Sequence, residues 1–223
     1  MLNKLLSLIL TVSILTLAFT SCKKEKEETV DDSEKEYTLD QYEEDTSTEE
    51  KSIYYVAMAV KNHGVIILKL DAENAPITVA NFIKLVREDF YDGLTFHRVK
   101  NNFMIQGGDP NADGSGGSKD KIYGEFLNNG YYNTISHVRG VISMARRSDN
   151  NNSASSQFFI MNADYKSLDG DYAAFGYVIE GMSVVDSITK ETVKYTDSQS
   201  GTIYDKSKQA VITEMKVIIY NEK

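Results

Sequence analysis

What most constrains the fold of this chain is the recurrence of short apolar, β-branched-rich runs: Ile53 to Val60, Val65 to Leu70, Gly140 to Ala145, Ser156 to Met161, Phe175 to Glu180 and Ala210 to Tyr220. Each has the length of a strand and is bounded by polar or turn-forming residues. The first two are separated by Lys61-Asn62-His63-Gly64, which predicts a hairpin with His63 as a solvent-exposed loop residue. Helical spacing occurs in two places. Asn74-Ala75-Pro76 leads into Val79, Phe82 and Val86, predicting a helix over 76–88 with Pro76 in the first turn, where its missing N–H costs little. A second, shorter helix is predicted from Gly181 to Ile188. Many short strands, two helices and long loops point to a closed or nearly closed β architecture.

The 223 residues include one cysteine, no tryptophan and two prolines, which suits one modest domain with appendages. Lys4 precedes an apolar run from Leu5 to Phe19 that is short for a bilayer-spanning helix, so residues 1–21 are expected to be a signal peptide. Cys22 stands after Leu17-Ala18-Phe19-Thr20-Ser21, where a bacterial lipoprotein signal sets its acylated residue. Lipidation of Cys22 predicts a chain anchored in the cell envelope, on the periplasmic face of the outer membrane or on the cell surface. An ordinary secretory signal with an incidental thiol is the alternative. Without a second cysteine no intramolecular disulfide can form, and stability must come from the core.

Residues 23–51 hold 5 lysines and 13 acidic residues, a net charge of -8, with no sustained apolar period. Together with Cys22 they are expected to form a disordered acidic tether over 22–51, leaving 52–223 as the folded domain. Since the whole chain carries -9 and the signal holds only Lys4, that domain has -9 - (+1) - (-8) = -2. It lacks the basic footprint of a nucleic-acid-binding protein.

Within the domain, the stretch from Phe96 to Asp109 places one guanidinium, Arg98, ahead of the apolar pair Phe103 and Met104, with the amide of Gln106 beyond. In strands, alternation would set Arg98 beside apolar side chains, where a five-donor fork can grip a ligand carbonyl; an ordinary structural ion pair is the alternative. The following Asp109-to-Asp120 loop echoes a calcium-binding EF-hand, but Asp120 replaces the chelating glutamate and no strong flanking helices are evident, so a plain Gly-rich surface loop is expected. Three scattered histidines offer no i,i+4 metal pair, and there is no nucleophile elbow. His97 is expected on a groove wall or in a hydrogen bond, and His137 in a structural role.

Five segments together resemble the cyclophilin family of peptidyl-prolyl isomerases: Phe96-His97-Arg98-Val99, Phe103 to Asp109, Gly140 to Ala145, Ser156 to Ile160 and Leu168-Asp169-Gly170. The resemblance implies a mainly β fold, a closed eight-stranded antiparallel barrel capped by two α-helices. It implies rotation about X–Pro bonds in exported polypeptides, with no cofactor and no metal. Carried over by position, Arg98 is the catalytic residue, and Phe103, Met104, Phe159 and Leu168 form the proline pocket. His97, Gln106, Gln157 and Tyr172 stand alongside, and Ala145 and Arg146 contact substrate through the main chain. Arg146 occupies a position commonly held by asparagine. Ser167 replaces a frequent tryptophan, which should weaken cyclosporin binding. The implied partners are proline-containing peptides and unfolded exported proteins, bound by a monomer. A tethered proline-peptide-binding or adhesion module without significant turnover is the alternative function.

Overall fold

The computed structural model describes residues 34–222, so the predicted signal peptide, Cys22 and the start of the acidic segment lie outside the described residues. Strands β1 (Ile53–Val60) and β2 (Gly64–Asp71) form the expected hairpin, followed by helix α1 (Pro76–Arg87). Then come β3 (Thr95–Phe96), β4 (Arg98–Lys100), β5 (Met104–Gly107), β6 (Val141–Met144), β7 (Phe158–Met161) and β8 (Ala174–Glu180). Helix α2 (Met182–Thr192) and β9 (Ala210–Ile218) complete the chain. All pairings are antiparallel, in the order β3-β9-β1-β2-β8-β6-β7-β5-β4.

The two ends of that order are neighbours in sequence. One extended stretch, 95–100, is split at His97, so that β3 pairs with β9 while β4 pairs with β5, and the sheet closes on itself. The eight strands expected are nine among the described residues because of this split. Residues 201–203, just before β9, continue the closure: Val99 N–H donates to the Gly201 carbonyl and Ile203 N–H to that of His97.

Alternation decides what each strand buries. Val56, Met58 and Val60 of β1, with Ile66, Leu68 and Leu70 of β2, point into a core completed by Phe82, Tyr91, Phe96, Phe158 and Phe175. Helix α1 contributes Val79, Phe82 and Val86 to this core, and α2 contributes Val184, Val185 and Ile188. The α1 N-cap residue, Ala75, has no capping side chain. Its place is taken from afar: the fully buried Glu125 carboxylate accepts the N–H groups of Ile77 (3.0 Å) and Thr78 (2.8 Å), satisfying otherwise orphaned donors.

Two expectations are corrected. The tether does not run to residue 51: residues from 34 onward lie on the outer face of β1, β2 and β9. Leu39 is fully buried there with Ala57, Ala59, Ile67 and Ile218, flanked by Tyr37, Tyr42, Tyr55 and Tyr220. The backbone is fastened too, Asp45 N–H donating to the Val217 carbonyl and Ile219 N–H to that of Glu43. Averaged charge hid this segment because a few apolar side chains suffice where the surface they meet is apolar. His63 is likewise not an exposed loop residue. Its side chain is 7% exposed, against α2, with Nδ1 3.0 Å from Ser187 Oγ, because the hairpin turn folds under the helix.

Candidate active site

Strand register sets the site. Arg98 on β4 lies opposite Gln106 on β5, Gln106 opposite Phe159 on β7, and Phe159 opposite Ser143 on β6, so these side chains share the outer face of the barrel. Met104 stands on the same face two residues from Gln106. Phe103 comes from the β4–β5 turn, while Leu168 and Tyr172 come from the connection between β7 and β8. Together with Ala145 and Arg146, just past β6, they enclose a cavity of about 190 Å³. Nine of the eleven binding and catalytic residues assigned from sequence therefore line one cavity.

The other two do not. Gln157 lines an adjoining cavity. His97, expected on a groove wall or in a hydrogen bond, lines neither cavity and is 1% exposed: it sits at the break between β3 and β4 beside the Asp109–Gly114 loop, its Nε2 3.8 Å from where a Cβ on Gly114 would stand. Neither of its ring nitrogens makes a hydrogen bond of good geometry. Burial lowers its pKa, outweighing the nearby Asp109 charge, so the neutral ring is favoured.

Arg98 meets no carboxylate within ion-pair distance among the described residues. Its Nε donates to the Ser200 carbonyl (2.7 Å) and Nη1 to Gln106 Oε1 (3.0 Å). Burial lowers its pKa somewhat, yet a guanidinium remains charged. Gln106 in turn donates to Gln157 Oε1 (2.8 Å), and Gln157 donates to the carbonyls of Gly114 and Gly116. This relay ties the Gly-rich loop to the site. The EF-hand echo in that loop has another use: the Asp109 carboxylate accepts the N–H groups of Asn111, Asp113 and Gly114, closing the turn on itself.

Behind the cavity lies a chain that sequence spacing did not reveal. His137 Nδ1 is 2.9 Å from Asp169 Oδ1, and its Nε2 is 3.1 Å from Ser143 Oγ. The order is that of a hydrolase triad, but Ser143 is fully buried and no substrate can reach it. The imidazole stacks on Phe159 at 5.9 Å and 18°, so the chain backs the apolar wall, the structural role expected of His137. Ser200 was also missed, since its backbone carbonyl lies 102 residues from Arg98 and leaves no local signal.

The geometry is a largely apolar cleft with two guanidinium groups at its edge, Arg98 and Arg146, each held by neutral acceptors. The family model for cyclophilin-type peptidyl-prolyl cis-trans isomerases matches residues 55–217. The peptidyl-prolyl cis-trans isomerase ppi1 of Schizosaccharomyces pombe is 44% identical over 122 residues, covering 54% of this chain and 76% of that protein. A peptidyl-prolyl cis-trans isomerase of Helicobacter pylori is 40% identical over 143 residues, covering 61% and 84%. The crystal structure of a Cryptosporidium parvum cyclophilin type isomerase, in the presence of the dipeptide Ala-Pro, superimposes with a TM-score of 0.64 at 29% identity, covering 75% of this chain and 99% of that one. The chain belongs to the cyclophilin-type peptidyl-prolyl cis-trans isomerases.

Proposed function

We propose that this isomerase accelerates X–Pro rotation in exported polypeptides and assists their folding, with Arg98 as its catalytic residue and lipid on Cys22 holding it in the cell envelope. The observation that carries the reading of the site is Arg98 itself: a partly buried guanidinium at the rim of an apolar cleft, with no carboxylate in ion-pair distance among the described residues.

Amide resonance gives the X–Pro bond a barrier of ~18–20 kcal/mol, and no covalent bond need break to cross it. Phe103, Met104, Phe159, Leu168 and Tyr172 hold the pyrrolidine ring while the chain beside it turns. Ala145 and Arg146 offer main-chain groups to the peptide. Arg98, which has donors left after Ser200 and Gln106 are served, hydrogen-bonds the prolyl carbonyl and favours a pyramidal imide nitrogen whose lone pair has left conjugation. Because these donors are fixed before substrate arrives, little reorganisation is needed, and each tenfold in rate requires only about 1.4 kcal/mol.

The test is a prolyl cis/trans assay on the chain from residue 34 and on its Arg98→Ala variant. Equal, near-background rates with retained peptide binding would replace the isomerase with a binding module. For the anchor, Cys22→Ser should release the protein from membranes, and unchanged retention would refute lipidation.

A further inference from the structure

Arg146 is not placed as a free surface arginine. Its guanidinium lies over the rings of Tyr172 (4.8 Å) and Phe126 (5.2 Å), with Nε donating to the Asp171 carbonyl (2.8 Å) and Nη1 to that of Arg147 (2.9 Å). It is a pinned cation, and it stands on the ridge between two cavities. With Ala145 and Gln106 it lines both the proline cleft and the adjoining cavity of about 270 Å³.

That second cavity has a charge of one sign. Lys121, Arg146 and Arg147 line it, together with small and neutral polar residues, and none of the lining residues is acidic. Arg147 is already paired with Asp149 at 2.6 Å. Among the described residues Lys121 reaches only the Ser118 carbonyl, at 3.5 Å, and Arg146 forms no ion pair. Two cations therefore line the cavity without a carboxylate partner among the described residues. An extended peptide advances about 3.3 Å per residue, so a ligand with its proline in the cleft reaches the neighbouring cavity within two or three residues.

We propose that this groove selects proline peptides with an acidic side chain within three residues of the proline, and that Arg146 is the specificity-determining residue, with Lys121 assisting. The proposal rests on the isomerase reading above and narrows its substrate class. A fixed guanidinium offers a fork to a carboxylate without first losing side-chain freedom, which a lysine could not do as well.

The experiment measures kcat/KM by NMR exchange for the full chain on peptide pairs with Glu or Gln at each of the three positions on either side of one proline. At low salt, Glu should be favoured over Gln about fivefold at one or more positions, since partly exposed ion pairs are modest in strength. The preference should shrink toward unity at high salt. Arg146→Gln should abolish it, Arg146→Lys should retain part, and Lys121→Gln should reduce it less. The readout is the Glu/Gln ratio within each variant, so a general loss of rate in the Arg146 variants does not register. A ratio of unity at every position, or one unchanged in Arg146→Gln, overturns the selectivity while leaving the isomerase intact. No turnover of any peptide overturns both.

Discussion

Two patches on the outer face of this barrel are apolar, and the chain treats them in opposite ways. Over β1, β2 and β9, Ala57, Ala59, Ile67 and Ile218 are covered by residues from 34 onward, with Leu39 seated among them. Over β5, β6 and β7, Met104, Phe159 and the half-buried Phe103, Leu168 and Tyr172 are left as an open cleft. The covered patch is floored partly by alanines, which leaves room for a side chain from the same polypeptide. The open patch is walled by large rings and has a cation at its rim. Covering apolar surface stabilises the fold, whereas leaving it open is useful only where a ligand completes it.

The largest expected effect breaks the open side. Arg98→Ala should lower kcat/KM by about 10²–10³, the usual loss when one preorganised donor is removed from a developing charge. Stability should change by only about 1 kcal/mol, since the variant leaves no carboxylate unpaired. The assay is paired with urea unfolding, and a large loss of stability together with activity would make Arg98 a structural residue. Leu39→Ala is the opposite probe. It should cost about 2–3 kcal/mol of unfolding free energy from lost burial and a cavity, while kcat/KM of the folded fraction stays near that of the parent. Loss of activity in proportion to stability would show that the two patches are coupled.

A third expectation separates folding from catalysis by pH. His63, His97 and His137 all have pKa values lowered by burial, against the pull of Glu191, Asp109 and Asp169 respectively. Each binds a proton more readily unfolded than folded. Their contribution is therefore complete above about pH 6.5, the ordinary histidine value, and is lost as pH falls below it, with a slope of at most about 1.4 kcal/mol per pH unit for each ring. Urea midpoints at pH 7 and near pH 5.5 check this, and a flat profile would refute it. His97→Leu should flatten part of the slope, because it removes a buried ring without good hydrogen bonds.

Legibility in the sequence followed the same division. The long strands were plain because β1 and β2 carry continuous apolar or alternating runs, and the cleft residues Met104, Phe159 and Ala145 sit in or directly beside the apolar runs of β5, β7 and β6. β3 and β4 were not, since two or three residues carry no period, and their split at His97 exists only because two different strands pair with its halves. Leu39 was hidden among acids, and His63 looked like any turn residue, because what buries each lies far along the chain. His97 misled in the other direction. Its neighbour Arg98 faces the cleft, but the strand breaks at the histidine, which is buried beside the distant Asp109–Gly114 loop.

The smallest effect sharpens the comparison at the point where a loop supports the open side. Gly201 has φ +78°, and an added Cβ would lie 2.4 Å from Lys100 Cγ and 2.9 Å from the Val99 carbonyl oxygen. The lysine stem can move, but the carbonyl belongs to β4, so in Gly201→Ala the loop must shift. The Ser200 carbonyl, 2.7 Å from Arg98 Nε, shifts with it. Loosening one of two anchors should reduce kcat/KM about fivefold through misplacement of the guanidinium, with a stability cost of about 1 kcal/mol for the left-handed backbone. The loss should vanish in an Arg98→Ala background, because an absent guanidinium cannot be misplaced. If Gly201→Ala slowed Arg98→Ala by the same factor, the loop would act on the cleft by some route other than Arg98, and the support assigned to Ser200 would fall.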